Sequence, residues 1–284
     1  MFVSQRVLAC VLLALPAAAQ SPAFEVVSIK LNTTNDPRNM RMQVLPGGRL
    51  MATSLPLRLL LSYAYDVPVN PSERMTGVPE WTVHEMYDVE AKAPEGAVPA
   101  GLPANELRSR MQAMIRTLLA DQFKLVVRTT TRDMPVYALT LAPGGPKMQK
   151  AEIDEKGCSA DPGDPASCHG FTGGMGRGMH GKAVNMSDVA RFIENWTDHP
   201  VIDRTGLDGL FAVDTEGWVP MRLPPPPPGG APNPSARPSG DGDMSDPDRP
   251  TLFVILRKLG LDLKQHRGPV QTYVVEHIDH ASAN

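Results

Sequence analysis

The chain has 284 residues, 28 of them Lys or Arg against 31 Asp or Glu, for a formal net charge of −3. That balance, with no evident Lys/Arg stripe, excludes a nucleic-acid binder that works by neutralising phosphates. The length suits one large domain or two small ones, and no later apolar run is long enough to span a bilayer, so a soluble product is expected.

Residues 1–19 read as a secretory signal. Arg6 is the positive end, Val7 to Leu15 the apolar core, and Ala17-Ala18-Ala19 the small-residue cleavage site before Gln20. The apolar run falls short of the roughly 20 residues of a membrane span. Leu8-Ala9-Cys10 resembles a lipoprotein box, but too little hydrophobic sequence precedes it. Cleavage near Ala19 and export follow, to the periplasm or beyond the cell.

Residues 20–142 read as a first α/β subdomain. Phe24 to Ile29 alternates like a strand, and Arg49 to Thr53 reads as the strand before the first helix. Ser54 is placed to cap a helix carrying Leu55, Leu59, Leu60 and Tyr63, which Pro68 closes. Thr76-Gly-Val and Trp81 lead to a strand at Tyr87 to Ala91. A loop with Pro94, Pro99 and Pro103 precedes a helix over 106–121, capped by Asn105, with Leu107, Met111, Met114, Ile115, Leu118 and Leu119 on one face. Phe123 to Val127 and Pro135 to Leu139 then predict a hairpin.

Residues 143–178 form a Gly/Pro-rich linker holding Cys158 and Cys168. After export the expectation is a disulfide pinning that loop, worth on the order of 2–3 kcal/mol in the chain-entropy model. The alternative is a metal held by Cys158, Cys168, His169 and His180, although the spacing is not that of a zinc finger; neither metal nor cofactor is expected.

Residues 179–284 repeat the order. Lys182 to Met186 is a short strand, and Asn185 or Ser187 can cap a helix carrying Val189, Phe192, Ile193 and Trp196, which Pro200 stops. Val201-Ile202, the turn Thr205-Gly-Leu and a strand at Leu210 to Asp214 follow. Residues 223–248, with five consecutive prolines from Pro224, read as an exposed, poorly ordered insertion. A helix over 251–259 and a second predicted hairpin, Leu259 to Leu263 with Pro269 to Tyr273, complete the copy. The fold class is therefore α+β, two similar α/β subdomains with mixed or antiparallel sheets produced by internal duplication.

Catalytic signatures are missing. Gly176-Arg-Gly-Met-His-Gly181 spells the dinucleotide fingerprint, but no apolar strand precedes it and no helix follows. Neither G-x-S-x-G nor H-E-x-x-H occurs, and a triad of Ser187, His199 and Asp203 competes with the simpler capping role of Ser187. His266, His277 and His280 read as exposed ends.

The blocks Phe24 to Lys30, Gly48-Arg-Leu, Leu59 to Tyr65, Tyr87 to Lys92, Leu118 to Leu125, Pro135 to Leu139, Val201 to Leu207 and Leu256 to Leu261 together closely resemble a secreted soil-bacterial family (Solibacter-type, domain of unknown function 3738). The resemblance covers Phe24 to about Asp279. It implies no established activity, so no catalytic residue carries over. Relatives joined to membrane metallopeptidases of the β-lactam-sensor type imply a sensing or partner-binding role. The repeated unit also looks like the short N-terminal module of secretins and TonB-dependent receptors, in pattern only.

The expected function is an exported binding, interaction or sensing module of the cell envelope, taking a small ligand or another envelope protein, with a groove between the copies near Tyr65, Trp81, Trp196 and Arg204. The alternative is an exported hydrolase built from His84, Glu85, Asp198 and His199.

Overall fold

A computed structural model describes residues 22–34, 36–69, 72–99, 101–159, 167–174, 176–219 and 249–281. The expected signal at 1–19 and the insertion at 223–248 lie outside the described residues. In chain order the first half holds β1 (Val26–Asn32), β2 (Arg41–Leu45), β3 (Arg49–Pro56), α1 (Leu57–Tyr65), β4 (Met75–Thr76), α2 (Trp81–His84), β5 (Met86–Lys92), α3 (Ala104–Phe123) and β6 (Val126–Leu141). The second holds β7 (Gln149–Lys150), β8 (Thr172–Gly174), β9 (Gly178–Val184), α4 (Met186–Glu194), β10 (Val201–Asp203), β11 (Phe211–Asp214), α5 (Leu252–Lys258) and β12 (Leu261–His277).

These elements build an α+β fold with three four-stranded sheets, ordered β1-β5-β3-β2, β10-β6-β12-β4 and β7-β11-β9-β8. The predicted linker supplies β7 and β8 to the third sheet, and the Cys158–Cys168 disulfide closes its loop. Helix α1 starts at Leu57, not at a Ser54 cap. Ser54 instead sits with φ +48° in a bulge of β3, and its N–H donates to Asp88 Oδ1 at 2.8 Å. In α4 Asn185 does cap, in a reciprocal capping box with Asp188.

The two predicted hairpins are absent. Residues 126–141 form one 16-residue strand and residues 261–277 one 17-residue strand, and the two pair antiparallel along nearly their whole length. Thr129, Thr130 and Thr131 are β-branched and extended where a turn needed Gly or Asn. Pro135 and Pro269, which suggested strand starts, lie inside the ladder opposite Arg267 and Asp133. Period-two geometry explains why they fit. Tyr137 N–H points outward to Pro200 O at 2.8 Å, so Pro135, two residues earlier, faces its missing N–H to the same side, before β10 begins. Tyr273 N–H likewise points outward to Arg74 O at 2.7 Å, which fixes the orientation at Pro269.

The outer strands of this central sheet are exchanged. Strand β4 of the first half lies parallel on β12 of the second, and β10 of the second lies parallel on β6 of the first. The cores follow. The first, built on Leu57, Leu60, Leu61, Met111, Ile115, Leu119 and Phe123, also takes in Tyr273 and Val275. The second, built on Met179, Val189, Ile193, Trp218, Ile255 and Leu256, takes in Tyr137 and Leu139.

Candidate functional site

Helices α1 and α4 each bury one stripe and turn the adjacent stripe to a shared space. In α1, Leu57, Leu60, Leu61 and Ala64 are buried, leaving Leu59 and Tyr63 half-exposed one helical step round. In α4, Val189, Ala190 and Ile193 are buried while Arg191 and Phe192 are half-exposed. Between these faces lies a cleft of about 450 Å³. Its apolar walls are Met40, Met42, Leu55, Leu59, Tyr63, Phe171 and Phe192, and its charged lining is Arg41, Asp66, Arg74, Arg108, Asp188, Arg191 and Glu194.

Most of those charges pair across the two halves. Asp66, in a left-handed conformation past the end of α1, accepts from Arg108 at 2.7 Å and lies 3.4 Å from Arg191 Nη1. Arg191 also donates to Asp188 Oδ1. Arg74 Nη1 donates to both oxygens of Glu194, at 3.2 and 3.3 Å, with the Glu194 side chain only 5% exposed. Burial pushes the Glu194 carboxyl above the ordinary range, against the opposing pull of Arg74. Val69 N–H donates to Asn195 Oδ1 at 3.2 Å, a further link between the halves.

His169 closes one end of the cleft. Its Nδ1 lies 2.7 Å from Asp188 Oδ2 and its Nε2 3.0 Å from Glu155 Oε2, so a doubly protonated ring donates to both carboxylates. The hydrogen bond with Asp188 raises the imidazole pKa, and Glu155 adds to it. For Asp188 burial acts upward, but His169 and Arg191 together hold the carboxyl below the ordinary range. The sign for stability follows from linkage. A histidine with a raised folded pKa contributes fully below its unfolded value near 6.5 and loses that contribution as pH rises through the folded value. His169→Gln should therefore cost more stability at pH 6 than at pH 9, read by urea unfolding; an equal loss at both pH values would contradict the charged pair.

Glu155, Cys158 and His169 bring donor atoms within 4.8 Å of one another. The Cys158 sulfur is bonded to Cys168, so it offers no thiolate. His180, the other histidine of the metal alternative, pairs with Asp214 and Arg177 O. Among the described residues these four do not form one ligand set.

None of the four residues expected to line the groove is among the residues that line this cleft, and each has its own neighbours. Tyr65 packs edge-on against Tyr273 at 4.9 Å, under the Arg116 guanidinium. Trp81 stacks on His280 at 4.1 Å. Trp196 packs on Phe192 and on buried Trp218, one ring removed from the cleft wall. Arg204 is exposed, and its backbone N–H donates to Leu139 O.

The residues of the hydrolase alternative are likewise not gathered. Glu85 accepts from Tyr87 and pairs with His280, His84 faces Glu80, and Asp198 and His199 sit beside Tyr137. Asp203 accepts from Thr205 within its own turn, so the imagined triad is not formed either. Asp66, Arg74, Arg108, Arg191 and Glu194 were missed by sequence reasoning. The one available signal was a carboxylate, Glu194, directly beside the apolar stripe residue Ile193.

A family model described as "Protein of unknown function (DUF3738)" matches residues 58–278. No curated protein and no solved structure matches the chain.

Proposed function

The chain belongs to the family of proteins of unknown function DUF3738, and since that family brings no activity, we propose that it is an exported binding or sensing module of the cell envelope whose ligand enters the cleft between α1 and α4. The signal-like residues 1–19 and the Cys158–Cys168 disulfide support export. The single observation that carries the binding role is the cleft itself: about 450 Å³, walled by apolar side chains from both halves, beside charged side chains that are mostly paired with one another. We take the two halves as copies of one unit, because hairpin, nine-residue helix, short strand, strand, helix and long strand recur in that order.

A neutral arene such as phenylnaphthylamine tests the cleft. Saturable fluorescence enhancement is expected, and Leu59→Trp, which fills the cleft from a half-exposed position, should weaken it about tenfold without lowering the melting temperature. Unchanged affinity in that variant would remove the cleft as the site.

A further inference from the structure

Resting on the cleft reading above, we propose that the ligand is a small amphipathic anion, an apolar body carrying one carboxylate-like or sulfonate-like group, and that Arg41 recognises the charge.

The argument is an accounting of charge within the cleft. Its lining holds the arginines 41, 74, 108 and 191 and the carboxylates of Asp66, Asp188 and Glu194. Asp66 is taken by Arg108 and Arg191, Asp188 by Arg191 and His169, and Glu194 by Arg74. His169, the remaining cation, is matched by Asp188 and Glu155. Every acid is thus committed, and the Arg41 side chain makes no hydrogen bond or ion pair among the described residues. A ligand meeting this cleft therefore finds one uncommitted positive group and no uncommitted carboxylate. A cationic ligand has no counter-charge to meet.

The apolar component is carried by position. Arg41 lies on β2, the edge strand of its sheet, and the adjacent Met40 and Met42 line the same cleft. Met40 is 46% exposed, one of the few large hydrophobic side chains left in water. Methionine is flexible and polarisable and fits apolar surfaces of varied shape. An arginine on the lining between two such residues, with a side chain long enough to reach round the strand edge, can pair a planar carboxylate or sulfonate while the body of the ligand enters the apolar part beside Leu59 and Phe192. Inorganic phosphate would use the charge and leave the apolar walls in water.

The test compares two probes with closely similar arene frameworks, the anionic anilinonaphthalene sulfonate and the neutral phenylnaphthylamine, on the full chain. The sulfonate should bind the wild type more tightly than the neutral arene, and less tightly as salt is raised. Arg41→Gln should weaken the sulfonate about five- to tenfold and leave the neutral probe unchanged, while Arg41→Lys restores part of the loss. Arg41 is exposed, so these variants should melt with the wild type. If both probes bind equally and Arg41→Gln alters neither, the anion assignment is overturned and the cleft reading survives. If neither probe binds saturably, or Leu59→Trp affects neither, the cleft reading itself fails and takes this inference with it.

Discussion

Expressed as separate chains, residues 22–142 and 143–281 should each fail to give a cooperatively melting product, and mixing them should restore one. The reason is the exchange of strands in the central sheet. Cutting the chain and removing one half strips β6 of β12, or β12 of β6, and leaves a strand of 16 or 17 residues with an unpaired edge. Strand β4 or β10 loses the one strand it pairs with among the described residues at the same time. The first core also loses Tyr273 and Val275, and the second loses Tyr137 and Leu139. At about 1.5–3 kcal/mol for each large buried side chain, two such losses come to about 3–6 kcal/mol, comparable to the lower end of an ordinary domain's stability of about 5–15 kcal/mol. Circular dichroism and thermal melting of each half decide the matter; a sharp melt from either half alone would show that the exchange is not essential.

Arg74→Ala should destabilise the intact chain by about 3 kcal/mol at pH 8, toward the low end for breaking a buried ion pair because Arg74 itself keeps 18% exposure. What remains is a Glu194 carboxylate 5% exposed, whose other hydrogen bond is a long one from Val201 N–H at 3.5 Å. The pH dependence has a definite sign. Burial already raises the Glu194 pKa with Arg74 present, and its removal raises it further. A carboxyl whose folded pKa exceeds its unfolded one takes up its proton first in the folded state, so stability grows as pH falls through that value. The penalty should therefore shrink between pH 8 and pH 5. The double variant Arg74→Met with Glu194→Leu should recover most of the loss. A penalty equal at both pH values, measured by urea unfolding, would rule out a buried charge as its source.

Much of the local structure was legible because it is written in local spacing. The stripe of Met111, Ile115, Leu118 and Leu119 located α3, and Asn185 or Ser187, either able to cap, marked the start of α4, where Asn185 does so. The expected groove rested on the repeated order of elements, and Tyr65, Trp81, Trp196 and Arg204, the residues named for it, are not among those that line the cleft between α1 and α4. Which helical face looks into it is set by docking, which spacing along one helix does not encode. Tyr63 and Tyr65 are two residues apart, yet one lines the cleft and the other packs on Tyr273. The hairpins failed for a related reason. Alternation predicts a strand but never its partner, and the prolines that looked like boundaries are tolerated because their nitrogens face an open side of the ladder. The pairs Arg74–Glu194 and Asp66–Arg191 join residues far apart in sequence, so no local pattern announces them.

Because Met75 of β4 pairs with Tyr273 of β12, the earliest-made half cannot be completed until β12 is available. So non-local a topology implies a slow search, in which the loop-closure entropy is spent before the contacts that reward it form. Meanwhile an incomplete first half exposes edges that invite aggregation. A chaperone that keeps the polypeptide extended until β12 has emerged would suit this layout.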